Sequence, residues 1–144
     1  MKDFKDIHIL IAEDDQDDGE ILCASFHNHP CIKKVDWVRN GKALLEFLND
    51  CGDKKPDIIL TDINMPIKNG IEALEEISHT IQFSSIPVFV YSSTMNPVYQ
   101  KRCKELGACG YLIKPIHLID FDEIPYQIIY ILKQNQEQEL DAID

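Results

Sequence analysis

The strongest constraint on this chain is the spacing of its short apolar runs. Ile7 to Ala12, Val35 to Val38, Ile58 to Thr61, Val88 to Tyr91 and Gly110 to Ile113 are each too short for a helix, and amphipathic helical patterns separate them. Near-continuous apolar strands alternating with helices imply a parallel sheet covered on both faces. The predicted fold is therefore α/β, a (βα)5 three-layer sandwich. For five strands the common solution is the flavodoxin-like order 2-1-3-4-5.

Local signals punctuate this pattern. Asp17 and Asp18 read as capping charges for a helix running through Phe26, and Asn40-Gly41 leads into a helix over Ala43, Leu44, Phe47 and Leu48. Met65-Pro66 and Asn69-Gly70 mark a loop before the helix of Ile71, Leu74 and Ile77, and Asn96-Pro97 opens the next helix. The last helix is predicted over Phe121 to Leu132, with Pro125 forcing either a late start or a kink. One domain is expected over residues 1–133, and the polar, acidic stretch 134–144 is expected to be a disordered tail.

Charge narrows the function classes. Lys plus Arg number 14 against 25 Asp plus Glu, a net charge of -11, which repels phosphate backbones and anionic lipid and argues against direct nucleic-acid binding. Five cysteines without framework spacing, no signal-peptide core and no apolar stretch near the roughly 20 residues of a membrane span predict a reduced, cytoplasmic protein.

Chemistry gathers where the strands end. The first run leads into Glu13-Asp14-Asp15, the third into Asp62, the fourth into Ser92-Ser93 and the fifth into Lys114-Pro115. In the order 2-1-3-4-5 these residues meet beyond the carboxyl ends of neighbouring strands, where open α/β sheets bind ligands. Clustered carboxylates repel one another unless a cation lies among them, and hard oxygen donors at an exposed rim suit Mg2+. Asp62 as a carboxylate nucleophile, with Lys114 and Ser92 as donors, would suit a transferred phosphoryl group. A one-residue shift at the end of strand one would put Asp15 in place of Glu13, although a strand ending at Ala12 favours Glu13 and Asp14.

These motifs together resemble the receiver domain of two-component response regulators. The resemblance rests on Ile11-Ala12-Glu13-Asp14-Asp15, Leu60-Thr61-Asp62-Ile63-Asn64-Met65-Pro66 with Asn69-Gly70, Val90-Tyr91-Ser92-Ser93, and Gly107-Ala108-Cys109-Gly110-Tyr111-Leu112-Ile113-Lys114-Pro115. It implies that Asp62 accepts a phosphoryl group from a histidine kinase or phosphotransfer protein. Asp14, Asp62 and the backbone carbonyl of Asn64 would hold Mg2+, with Glu13 acting through water. Lys114 and Ser92 would then bond phosphoryl oxygens, and Tyr111 would serve as an aromatic switch that re-shapes a protein-interaction surface. The resemblance also implies a cis Lys114-Pro115 peptide, and self-phosphorylation and self-dephosphorylation in place of a conventional enzyme activity. The long connection from His79 to Ile86 and the acidic run Glu13-Asp14-Asp15-Gln16-Asp17-Asp18 resemble the single-domain, phytochrome-associated subgroup. Dimerisation through the last helices is a further expectation, with Tyr99, Tyr111, Tyr126 and Tyr130 as its surface.

Three rival readings stand beside this one. A phosphohydrolase with Asp62 as nucleophile would, in the haloacid-dehalogenase pattern, need an acid two residues later, where this chain has Asn64. A binding-only pseudo-receiver would not need the full set Glu13, Asp14, Asp62, Ser92 and Lys114. Cys23, His27, His29 and Cys31 offer a Cys2His2 set for zinc, but core packing and a turn account for them more simply.

Overall fold

The computed structural model describes residues 4–143. The elements are β1 (Ile7–Ala12), α1 (Gln16–His27), β2 (Ile32–Val38), α2 (Gly41–Asp50), β3 (Ile58–Asp62), α3 (Gly70–Ser78), β4 (Val88–Ser92), α4 (Pro97–Glu105), β5 (Gly110–Ile113), a 3-10 turn (Leu118–Asp122) and α5 (Glu123–Ile143). The strands form one parallel sheet in the order β2-β1-β3-β4-β5. That order makes β1 and β3 adjacent, and so brings the ends of the two acid-bearing strands together.

Alternation along the strands builds two cores. Ile7, Ile9, Ile11, Ile58, Leu60, Phe89 and Tyr91 face Leu22 and Phe26 of α1 and Ile124, Ile128 and Leu132 of α5. Leu10, Ala12, Ile59, Val88 and Val90 face Leu44 and Leu48 of α2, Leu74 and Ile77 of α3 and Cys103 of α4. Each large side chain buried this way contributes about 1.5–3 kcal/mol relative to exposure. The two-sided burial explains why β3 and β4 read as unbroken apolar runs: every residue in both is buried.

The differences from the sequence reading have local causes. β2 starts at Ile32, three residues earlier than its apolar run, because this edge strand carries the exposed Lys33 and Lys34. α1 starts at Gln16 with Asp15 as its flanking residue, so Asp17 and Asp18 lie in the first turn and do not cap it. Pro125 is the third residue of α5, where its missing N–H is one that no helical carbonyl would have bonded; a late start, not a kink, accommodates it. The segment expected to be disordered is helical through Ile143. Its Gln, Glu, Leu and Ala residues favour helix, and Asn135, Gln136, Glu139 and Leu140 line a groove of about 650 Å3 against Phe4, Pro56 and the Ser84–Pro87 stretch. Asp144 lies outside the described residues. The Lys114-Pro115 peptide is trans, the form an X-Pro bond ordinarily favours by about 0.5–1 kcal/mol. Among the described residues no helix is long and apolar enough to cross a membrane.

Candidate functional site

The loop after β3 shows how the chain holds a carboxylate in place. Asp62 is the last residue of its strand and is buried. Behind it, Asn69 caps α3 in a reciprocal capping box with Glu72, and the Gly70 N–H bonds the Ile63 carbonyl at 2.9 Å. A Cβ on Gly70 would lie 2.1 Å from the Asp62 carbonyl oxygen, so only glycine lets the helix start this close to the strand end. The turn between them is strained at Ile67, a β-branched residue held at φ 69°.

β1 delivers its acids in the same way. The Glu13 N–H extends the ladder by bonding the Val38 carbonyl at 3.0 Å, and the Glu13 carbonyl accepts the Trp37 indole N–H at 2.8 Å. Glu13 is fully buried, whereas Asp14 and Asp15 are exposed. Carboxylate oxygens of Glu13, Asp14 and Asp62 lie within 4.8 Å of one another. Of the acidic triplet, Glu13 and Asp14 join this cluster, while Asp15 contributes its N–H, which donates to Glu13 Oε2 at 3.2 Å.

Lys114, just past β5, supplies the countercharge. Its Nζ lies 2.7 Å from Glu13 Oε1, 2.8 Å from Asp62 Oδ2 and 3.2 Å from Asp18 Oδ2. Burial alone would lower the pKa of its ammonium, but the bonds to Asp62 and Glu13 more than reverse that and hold it above the ordinary lysine range. Burial would raise the Glu13 carboxyl, yet bonds from Lys114 and Tyr91 hold it low and ionised. Asp62 is pushed up to about 7, first by burial and then by its acidic neighbour Glu13, against the pull of Lys114. Asp14, though exposed as a residue, is also raised, by partial desolvation of its carboxyl and by Glu13. One lysine does not neutralise this many acids, which leaves excess negative charge at the strand ends that favours a cation.

Ser92 ends β4 and is buried; its carbonyl accepts the Lys114 N–H at 2.8 Å, which ties the two residues together. Thr94 N lies 3.5 Å from Ser92 Oγ, a weak contact. Asn64 sits exposed at the rim, and its N–H donates to Asp62 Oδ1 at 3.2 Å. Tyr111 is half-buried, and its hydroxyl donates to the Thr94 carbonyl at 3.2 Å, bridging β5 to the loop after β4. Two contacts went unread in the sequence. Asp18 reaches Lys114, and Tyr91 donates its hydroxyl to Glu13 Oε1. Asp14 precedes α1 and Asp18 lies in its first turn, so no helical spacing flags Asp18, and nothing in an apolar strand flags Tyr91.

The zinc alternative does not assemble. His29 is buried, with Nδ1 accepting the Cys31 N–H at 3.1 Å and its ring edge-on to Tyr126 at 4.4 Å. Among the described residues, Glu13, Asp14 and Asp62 form the one cluster of three or more such ligands. The 650 Å3 groove is lined by none of the carboxylate cluster and so lies apart from it.

Comparison with known proteins decides the family. Residues 9–124 match the response regulator receiver domain model. This chain belongs to that family. Among curated receiver proteins, it is 33% identical over 126 residues to the two-component response regulator ARR3 of Arabidopsis thaliana, covering 82% of the chain and 54% of the relative. It is 30% identical to the response regulator ORR3 of Oryza sativa subsp. indica, covering 85% of the chain and 90% of the relative. The chain thus spans about half the length of the first and most of the second. Among solved structures, the phosphorylated cyanobacterial phytochrome response regulator RcpA is similar at TM-score 0.77 and 28% identity, with 85% of this chain and 90% of that chain covered. The Mn2+-bound form of response regulator Rcp1 follows at TM-score 0.73 and 29% identity, covering 82% and 88%. The receiver fold and its general function, phosphoryl acceptance in two-component signalling, therefore apply to this chain, and the phosphohydrolase and binding-only alternatives are not favoured.

Proposed function

We propose that Asp62 is the phosphoryl acceptor of this receiver domain and that its donor is a histidine kinase or histidine phosphotransfer protein. The observation that carries this reading is Lys114 Nζ held 2.8 Å from Asp62 Oδ2, beside a second buried carboxylate and an exposed third. A carboxylate oxygen of Asp62 attacks phosphorus, the P–N bond to the donor imidazole breaks, and an acyl phosphate forms while the imidazole leaves with the electron pair. Lys114, already poised between Asp62 and Glu13, pairs with a phosphoryl oxygen, and Ser92 donates to another.

The donor set fits Mg2+: all hard oxygens, one exposed acid, and more negative charge than Lys114 balances. Asp14, Asp62 and the Asn64 carbonyl would hold the ion, with Glu13 behind them; when bound, it offsets charge on the transferred group. The Mn2+ form of Rcp1 supports a divalent ion here by analogy. Tyr111, bonded to the loop that follows Ser92, is the element that carries the change outward. The output surface is a protein contact at the last helices, where Leu118, Ile119, Tyr126 and Tyr130 are exposed, and self-association through it in the cytoplasm is part of the proposal.

The test is intact mass after brief incubation with Mg2+ and a small acyl-phosphate donor. A single phosphoryl adduct that disappears with chelator and in Asp62→Asn is the expected result. An adduct that survives Asp62→Asn, or none in the wild type, overturns the assignment.

A further inference from the structure

Tyr91 is fully buried near the end of β4, after the apolar Val88, Phe89 and Val90 of the same strand. An aliphatic side chain would fill this place without needing a partner, whereas a buried phenol must find an acceptor. The strand register sets Tyr91 beside Asp62, with β3 between it and β1. Its hydroxyl passes across β3 and donates to Glu13 Oε1. The same ring lies under the ammonium of Lys114, with Nζ 4.9 Å from the ring centroid.

These contacts leave Glu13 no freedom. Oε1 accepts from Tyr91 and Lys114, Oε2 accepts the Asp15 N–H, and the main-chain carbonyl accepts Trp37. The cluster therefore contains one acid locked by four donors, and two acids, Asp14 and Asp62, that face the rim. We propose that Tyr91 is a positioning residue for phosphoryl transfer: it clamps Glu13 from behind and supports Lys114 from below, so that Asp14 and Asp62 present their oxygens to the cation and the phosphoryl group. This inference rests on the phosphoryl-acceptor reading above. Without the phenol, Oε1 keeps a single partner and Glu13 can turn toward its acidic neighbours, which spoils the geometry of the cation site without touching any residue that meets it.

Trp37, the sole tryptophan, is bonded to the Glu13 carbonyl and so reports on this corner of the site without any phosphorylation. The experiment is a Mg2+ titration followed by Trp37 fluorescence for wild type, Tyr91→Phe, Glu13→Gln and the double variant, with thermal melts to confirm folding. Groups that orient a metal ligand from behind typically cost 10–100-fold in affinity when removed, and Tyr91 acts one step further out through Glu13, so Tyr91→Phe is expected at the low end of that range, about tenfold weaker in Mg2+ binding. In the Glu13→Gln background the same change should have little further effect, because the clamp has lost its target. Wild-type affinity in Tyr91→Phe, or a tenfold loss that persists in the Glu13→Gln background, overturns the positioning role. The acyl-phosphate adduct separates the two claims. A wild type that forms no Asp62-dependent adduct removes both, whereas a normal wild type with a Tyr91→Phe variant of unchanged affinity removes only this one.

Discussion

Replacing Asp62 by asparagine should make the metal-free protein more stable at alkaline pH while ending its ability to carry a phosphoryl group. Burial, reinforced by Glu13, pushes the Asp62 carboxyl from an ordinary 3.8 up to about 7. Because the folded value lies above the unfolded one, the folded protein holds the proton more tightly between these limits. The stability this group contributes is fully present below about pH 4 and is lost as pH rises through about 7. Roughly three pH units at 1.36 kcal/mol each set a ceiling of about 4 kcal/mol on the loss. Glu13, held ionised by Lys114 and Tyr91, moves in the opposite direction, and asparagine is a weaker acceptor for Lys114 than a carboxylate. The expected net gain for Asp62→Asn at pH 8 is therefore about 1–2 kcal/mol, shrinking toward zero near pH 4. Urea unfolding followed by Trp37 fluorescence in chelator at pH 4, 6 and 8 measures it. Added Mg2+ should reverse the ranking, since a ligand at 100 times its Kd stabilises the wild type by about 2.7 kcal/mol and the variant by less. A variant no more stable than wild type at pH 8, or a gain that does not vary with pH, would refute the reasoning.

Two backbone positions give independent tests. Gly70→Ala forces a Cβ to 2.1 Å from the Asp62 carbonyl, a backbone atom with no side chain to swing aside; thermal melts should show a loss of about 2–3 kcal/mol, and the rate of adduct formation should fall with it. Ile67→Asn should do the reverse, because Ile67 is 76% exposed and held at φ 69°. Asparagine tolerates that conformation and nothing buried is lost, so urea unfolding should show a gain of about 1 kcal/mol.

What the sequence made legible, and what it hid, follows from how each residue is held. Asp62, Ser92 and Lys114 could be read because each terminates an apolar run, and a parallel sheet in the order 2-1-3-4-5 brings such termini to one edge. β1 and β5 have the boundaries their apolar runs predict, whereas β2 and α5 do not. An edge strand interrupts its apolar run with lysines, and a polar helix whose last turns, residues 137–141, are all exposed carries too weak a periodicity to register. Tyr91 and Asp18 were hidden for a different reason. Each acts through a contact between elements far apart in the chain: Tyr91 reaches across a whole strand to Glu13, and Asp18 reaches from α1 to a lysine beyond β5. Periodicity shows that Tyr91 faces the core, but not that its hydroxyl ends on a carboxylate. The residues that would bear the chemistry thus lie at positions the topology dictates, while the residues that hold them depend on side-chain reach, which only the folded chain reveals. Substitutions at the hidden positions should accordingly alter the affinity and rate of the site more than they alter the fold, since Tyr91→Phe keeps the ring that fills the core and removes only the atom that meets Glu13.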